Sequence, residues 1–131
     1  MILLDTHIWI WFLSNPEKLS SQARKAVEDN MEKGSLLISS ISVWEIAVLN
    51  AKNRLHFSIP LKDWVSQSEK LPFLQFIPVN NTIALNSVLL PASIHNDPAD
   101  RIVIATALSE GVPLVTKDEK IIKNAPIETI W

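Results

Sequence analysis

The side chains best suited to chemistry in this sequence are carboxylates placed where predicted strands end and predicted helices begin. Asp5 follows the apolar run MILL, and Asp118 follows the apolar stretch PLVT after one lysine. Glu45 lies in SVWE at the start of an apolar helical segment, and Asp97 and Asp100 bracket a proline in NDPADR. Carboxylates accept hydrogen bonds and bind hard cations, so their grouping decides which of these roles they can have.

Most of these acids also have a purely structural interpretation as helix caps. Asp97 fits the N-cap position, because proline follows at N1 and a carboxylate there accepts a backbone N–H. Asp100 then falls at N3, where an acid adds only a fraction of ~1 kcal/mol through the helix dipole. Ser42 and Glu45 have the spacing of a capping box. Asp118 can cap the helix EKIIKN that follows it.

Asp5 has no such simple explanation. It ends a buried apolar strand and precedes a bulky apolar helix. A carboxylate beside a core is costly unless it is paired, hydrogen-bonded or bound to a cation. Asp5 is therefore the acid that points most directly to a functional site.

The apolar pattern predicts strands that alternate with helices. Short apolar strands are predicted in MILLD, SLLIS, LQFIPV and VPLVT, with IETIW as an edge strand. The predicted helices are THIWIWFLS, LSSQARKAVEDNMEKG, SVWEIAVLNAKN, LKDWVSQSEK, NNTIALNSVLL, residues 98–110 and KDEKIIKN. Gly111 is expected to end the 98–110 helix. This alternation indicates a parallel sheet covered by helices on both faces.

A parallel sheet brings the strand ends, and the acids near them, to one rim. Asp5 and Asp118 end strands, and Glu45 and Asp100 begin helices near the same rim, where ligands of such sheets bind. Four carboxylates within a few ångströms repel one another unless a counter-charge is present. Mg²⁺ or Mn²⁺ supplies that charge, activates water and clamps a phosphodiester. The residues alone thus predict metal-dependent phosphoryl chemistry.

Composition limits the alternatives. The 131 residues are 47% hydrophobic and contain no low-complexity run, which predicts one globular domain over residues 1–131. The net charge of −2 argues against a general nucleic-acid coat protein, but not against a nuclease that binds its own cations. No segment has the roughly 20 apolar residues of a membrane span. The lack of cysteine excludes disulfides and thiolate metal sites and suits a cytoplasmic protein.

Taken together, these residues resemble the PIN-domain ribonucleases, particularly the VapC-like toxins of toxin–antitoxin pairs. LLDTHIWIWFL, SSISVWEIAVLNAKNRL and HNDPADRIVIATALSEGVPLVTKD occur in the family's order and spacing across nearly the whole chain. The resemblance implies a three-layer α/β/α sandwich, endonucleolytic cleavage of RNA, a VapB-like antitoxin and frequent homodimerisation. The family's catalytic, metal-binding acids map onto Asp5, Glu45, Asp100 and Asp118, with Asp97 in a supporting position.

The resemblance also extends to neutral residues. It implies that the hydroxyl of Thr6 or Thr116 orients a metal-bound water or an acid. The sequence departs from the family where Leu49 stands for a lysine and Asn53 for a glycine. Asparagine tolerates a left-handed conformation, so we expect the helix end to be kept. The missing lysine affects substrate contact rather than the metal site.

Several other residues have both structural and functional interpretations. His7 and His95 flank the acids and could contact substrate or metal-bound water, whereas His56 is expected at the surface. The tryptophans invite a base-stacking role. Trp9, Trp11 and Trp44 lie on apolar helices and are expected in the core or in a dimer contact, whereas Trp64 and Trp131 fit either role. Cations near the predicted rim could meet phosphates: Arg54, Arg101, Lys117, Lys120 and Lys123.

Other proteins with an acidic α/β rim require different residues. A phosphoacceptor receiver domain needs an aspartate at the end of a central strand, where LQFIPVN offers only asparagine. A haloacid-dehalogenase-type phosphatase needs D-x-D after the first strand, which here reads DTH. A non-catalytic metal- or protein-binding module remains open, although a full set of four acids argues against it.

Overall fold

The computed structural model describes residues 1–131 and contains one parallel sheet between two layers of helices. Its strands are β1 (Ile2–Leu4), β2 (Leu36–Ser39), β3 (Leu74–Ile77), β4 (Leu114–Val115) and β5 (Thr129–Ile130). Their order across the sheet is β3-β2-β1-β4-β5, and each neighbouring pair is parallel. The predicted three-layer α/β/α fold is therefore confirmed.

Seven α-helices connect or follow the strands. They are α1 (Thr6–Ser14), α2 (Ser21–Glu32), α3 (Ser40–Ala51), α4 (Leu61–Glu69), α5 (Asn81–Leu89), α6 (Pro98–Glu110) and α7 (Glu119–Asn124). Each corresponds to a predicted helix, and a 3₁₀ turn at Pro16–Lys18 is added between α1 and α2. The third strand ends two residues earlier than predicted, because Pro78 has no N–H to donate to a neighbouring strand.

The helix ends use residues that tolerate positive φ. Gly111 follows α6 with a φ of 64°, in the left-handed region that glycine adopts without steric cost. Asn53 follows α3 with a φ of 57°, and it is the only non-glycine residue with positive φ. The expectation that asparagine keeps this helix end is confirmed.

Alternate residues of the strands face different helix layers. Ile2 and Leu4 of β1 pack against one buried cluster, to which α1, α2 and α3 contribute Trp9, Val27 and Ile46. Leu3 faces a second cluster, formed mainly with α5, α6 and α7. Both faces of the three central strands β2, β1 and β4 are buried, which explains why these strands are almost entirely apolar. No helix has the length and apolar character needed to cross a membrane.

The topology places a crevice beside β1. The chain proceeds from β1 outward to β2 and β3 on one side, and returns later to place β4 on the other side. β1 therefore lies where the direction of strand addition reverses, and ligands of open parallel sheets bind beyond the strand ends at such a point. The carboxyl end of β1 is followed directly by Asp5.

Candidate metal centre

Asp5 is held at the carboxyl end of β1 by two hydroxyl-bearing residues. Its carboxylate caps α1 by accepting a hydrogen bond from the Thr6 N–H at 2.8 Å. The Thr116 hydroxyl, at the end of the adjacent β4, donates to the other carboxylate oxygen at 2.7 Å. Burial raises the pKa of Asp5, and the hydrogen bonds from Thr116 and Thr6 oppose that shift. The carboxylate is thus oriented by the first residue of α1 and by the residue that follows β4.

Glu45 reaches the same crevice from the second turn of α3. The buried Thr6 hydroxyl lies 2.7 Å from Glu45 Oε1 and 2.8 Å from Ser42 Oγ, and it donates to the carboxylate. Burial raises the pKa of Glu45, with further increases from the charges of Asp5 and Asp97. Thr6 therefore connects the acid on α3 to the segment that carries Asp5.

The capping box predicted at Ser42 and Glu45 is wrong. The helix begins at Ser40, and Ser39 is the N-cap whose hydroxyl accepts from the Ile41 N–H at 3.2 Å. Ser42 is instead fully buried beside Thr6. The sequence offers three serines within four residues, and only packing of the helix against α1 decides which of them caps it. Glu45 therefore does not cap α3, and its carboxylate lines the cavity instead.

The two acids on the α6 side divide their roles as the sequence predicted. Asp97 is the N-cap of α6, and its carboxylate accepts from the Asp100 N–H at 3.1 Å. Asp100 lies in the first turn, at N3, and its own carboxylate points away from the helix axis into the crevice. Asp97 is exposed and does not line the crevice. Asp97 thus starts the helix that presents Asp100.

Asp118 is both a cap and a member of the crevice. Its Oδ1 accepts from the N–H groups of Lys120 at 2.9 Å and Ile121 at 3.3 Å, which confirms the predicted cap of α7. Its Oδ2 is turned toward His95, at 3.4 Å. One carboxylate oxygen therefore stabilises the helix while the other faces the site.

His95 joins Asp100 and Asp118, a role that the sequence left open. Its Nε2 lies 3.2 Å from Asp100 Oδ2 and 3.4 Å from Asp118 Oδ2. Its Nδ1 accepts a hydrogen bond from the Asp97 N–H at 3.0 Å, so the ring proton is at Nε2. The Nε2–H group of His95 accordingly points toward the carboxylates of Asp100 and Asp118 as a hydrogen-bond donor. The spacing H-N-D-P-x-D is the only sequence signal for this contact.

All four predicted acids line one cavity of about 390 Å³, together with His7, Ile8, Trp11 and Lys117. Burial, followed by the charges of Asp5, Asp97, Glu45 and Asp118, raises the pKa of Asp100 to about 8. The cavity thus gathers four carboxylates, and Lys117, which forms no ion pair with them, is the only lysine or arginine that lines it. An all-oxygen set of carboxylates fits a hard divalent cation such as Mg²⁺ or Mn²⁺, which accepts oxygen ligands and brings the missing charge.

Arg101 does not serve as a phosphate contact. Its guanidinium donates to the main-chain carbonyls of five residues in and after α5: Ser87, Val88, Leu90, Pro91 and His95. The expectation that Arg101 could meet a phosphate is wrong, because these carbonyls already use its donors. The sequence does not distinguish such a structural arginine from a free one.

The tryptophans also separate into distinct environments. Trp9 is fully buried in the core, so the prediction of a core position is confirmed for this residue. Trp44 is 58% exposed on α3, so it is not a core residue. Trp11 is only partly buried and lines the acidic cavity.

Comparison with known proteins places the chain in a family. Residues 2–126 match the PIN domain model. The chain is 35% identical over 133 residues to Ribonuclease VapC22 of Mycobacterium tuberculosis, with 99% of this chain and 98% of the relative covered.

Solved structures share the fold at lower identity. VapBC2 from Rickettsia felis bound to a promoter DNA fragment has a TM-score of 0.71 and 17% identity, covering 98% of this chain and 97% of that one. DNA-bound VapBC from Salmonella typhimurium has a TM-score of 0.70 and 19% identity, with 98% and 95% covered. FitAcB from Neisseria gonorrhoeae has a TM-score of 0.65 and 20% identity, with 98% and 96% covered. The chain therefore belongs to the PIN domain family and is a VapC-like member of it.

Proposed function

We propose that this protein is a metal-dependent endoribonuclease and the toxin of a VapBC-like toxin–antitoxin pair. The observation that carries the proposal is the convergence of Asp5, Glu45, Asp100 and Asp118 on one cavity. The full-length relative named as a VapC ribonuclease supports RNA as the substrate, and the structural neighbours named as toxin–antitoxin complexes support a VapB-like antitoxin partner. We also propose a cytoplasmic location, for which the lack of cysteine and the proposed RNA substrate are the support.

The four acids are the residues that would hold Mg²⁺ or Mn²⁺. The bound ion supplies an activated water and stabilises charge on the phosphodiester oxygens. The protein's own contribution is orientation: Thr116 positions Asp5, Thr6 positions Glu45, and His95 lies against both Asp100 and Asp118. Lys117 also lines the cavity and precedes Asp118 in the chain, so it can meet a phosphate that flanks the scissile bond.

The test is cleavage of a labelled total-RNA pool by purified protein in Mg²⁺ or Mn²⁺ and in chelator. We expect discrete fragments that disappear with chelator and in Asp5→Asn and Asp100→Asn, with losses of at least about 100-fold in rate. Asp63→Asn removes an exposed acid in the first turn of α4 and serves as the matched control that retains activity. Unchanged cleavage by folded Asp5→Asn protein would contradict the proposed site.

The alternative is a non-catalytic metal- or protein-binding module, and the same samples separate the two. A module would bind Mn²⁺ in titration calorimetry without cleaving any RNA in the pool. Inhibition of cleavage by the co-expressed antitoxin would support the toxin assignment, as would a homodimeric mass for the free protein. We expect the single domain of residues 1–131 to be sufficient for metal binding, RNA cleavage and antitoxin binding.

A further inference from the structure

A second cavity adjoins the acidic one and has the opposite charge. It has a volume of about 520 Å³ and lies between α1 and the segment 54–58 that follows α3. Trp11 lines both cavities, so the two adjoin at this one side chain. We refer to this second cavity as the α1 cleft.

The α1 cleft contains cations and no carboxylate. The cations Lys18 and Arg54 line it together with the imidazole of His56, and all three residues are exposed. The acidic cavity next to it is lined by four carboxylates and a single lysine. In a protein of net charge −2, this segregation makes the α1 cleft the place beside the acids where a polyanion is attracted rather than repelled.

Trp11 has an environment suited to stacking between phosphates. The Lys18 and Lys117 ammonium groups each lie 5.8 Å from the centre of its ring. Lys117 also lies 5.7 Å from the ring of Trp131, whose centre is 6.2 Å from that of Trp11. Aromatic rings flanked by cations are the surfaces on which single-stranded nucleic acids bind, because each base has a face to stack and each phosphate a charge to pair.

We propose that the α1 cleft binds the single-stranded nucleotides that flank the scissile bond of the RNA. The base next to the cleavage point stacks on Trp11, and the following phosphates contact Lys18 and Arg54. This inference rests on the proposed function, since it assigns the strand path to the same acidic site. It also commits the substrate to an unpaired segment, because a base inside a duplex cannot present its face to the indole.

The experiment measures binding without cleavage. Fluorescence polarisation of a labelled oligouridylate of twelve nucleotides is recorded in EDTA, as a function of salt concentration. Because no catalysis is required, loss of binding is distinguishable from failure of the ribonuclease proposal. The same oligonucleotide annealed to its complement provides the duplex comparison, for which we expect weaker binding to the wild-type protein.

Two sets of variants test the two parts of the contact. Lys18→Gln/Arg54→Gln removes exposed charges, so its fold is not at risk, and we expect about a 10-fold loss of affinity. The slope of log K against log salt should fall by about 1.4, since each single-strand phosphate contact contributes about 0.7. Trp11→Leu keeps an apolar side chain at the edge of the core and should also lose about 10-fold, whereas Trp11→Phe should lose less.

The matched control is Lys25→Gln/Lys33→Gln, which removes two exposed positive charges that line neither cavity. Affinity within about twofold of the wild-type value is expected for it. An equal loss of affinity in this control would show that the affinity depends on net charge and not on the α1 cleft, and it would overturn the proposal. Unchanged binding in Lys18→Gln/Arg54→Gln and in folded Trp11→Leu would also overturn it, and would leave the α1 cleft to a protein partner.

Discussion

At the residue scale, the site is a set of acids whose charges are unfavourable for the protein that carries them. Burial and four neighbouring carboxylates raise the pKa of Asp100 to about 8, and burial also raises the pKa values of Asp5 and Glu45. Such an arrangement costs folding free energy unless protons or cations compensate it. A loss of folding free energy from grouped carboxylates is expected at a cation site, because the bound ion compensates it. Two predictions follow from this loss.

The first concerns the metal-free protein and pH. Because the folded-state pKa of Asp100 lies above its unfolded value, the folded protein binds the extra proton, and this stabilisation is lost as pH rises through about 8. In EDTA we therefore expect the wild-type Tm to rise as pH is lowered from about 8.5 to 5.5. Asp100→Asn should flatten this dependence and melt higher than wild type at pH 8. Differential scanning fluorimetry measures both effects.

Added Mn²⁺ should reverse the ranking of those two proteins. Binding to the folded state alone stabilises the wild-type protein, by about 2.7 kcal/mol at a hundred times the Kd, and should have little effect on Asp100→Asn. Asp63→Asn, which alters an exposed acid, should follow the wild-type curve in both conditions. A lower Tm for Asp100→Asn than for wild type in EDTA at pH 8 would contradict this account of the site.

The second prediction concerns His95, whose Nε2 faces Asp100 and Asp118. A donor that orients metal-binding carboxylates typically changes metal affinity by 10- to 100-fold, so His95→Ala should weaken Mn²⁺ binding by about 10-fold in titration calorimetry. His95→Gln retains an N–H donor and should restore part of the affinity. Equal affinities in wild type and His95→Ala would show that the contact does not orient the acids.

At the scale of elements, helix ends determine where the acids point. Asp97 and Asp118 each accept a hydrogen bond from a backbone N–H in the first turn of α6 and of α7, respectively. These caps fix the starts of both helices at the rim. Arg101 in turn joins α6 to the C-terminal end of α5 and to the carbonyl of His95. A positive charge at the last carbonyls of a helix is favourable, and the same contact holds the segment that carries His95.

Arg101→Met should therefore destabilise the protein by about 3 kcal/mol, because it leaves several carbonyls of α5 and the following segment without a donor. Arg101→Lys should recover only part of this loss, since an ammonium group cannot reproduce the planar fork of five N–H donors. Urea denaturation measures both. If the two variants proved as stable as wild type, the guanidinium contacts would have no structural role.

At the scale of the whole molecule, we propose that the homodimer implied by the family resemblance uses exposed apolar residues of α5. Trp9 is buried in the core, so it is not available for the homodimer implied by the family resemblance. Leu85, Val88 and Leu89 share one face of α5 and are 62%, 75% and 69% exposed. An apolar face of this kind is typical of a protein–protein contact.

We therefore expect the wild-type protein to have twice the 14.7 kDa chain mass in light scattering after size exclusion. Leu85→Glu/Leu89→Glu should give the monomeric mass with an unchanged circular dichroism spectrum, because the substituted side chains lie outside the core. Ile122→Glu, a 41% exposed position on α7, is the control that should remain dimeric. A dimeric mass for the double variant would exclude this face as the interface.

The sequence by itself determined the alternation of elements, the parallel sheet and the meeting of four acids at one cavity. These follow from local patterns: mostly apolar strands, helix starts at Pro98 and Glu119, and carboxylates at the ends of strands. They are readable because each depends on residues only a few positions apart. The same patterns placed Asp97 correctly as a cap.

Only the tertiary structure decided which other side chains meet. Ser39 rather than Ser42 caps α3, Arg101 is occupied by carbonyls of α5, and His95 joins acids five and 23 residues away. Trp11 shares the acidic cavity and the α1 cleft with residues more than 100 and about 40 positions away in the chain. These contacts depend on distances between elements that the sheet order sets, and no local pattern encodes such distances.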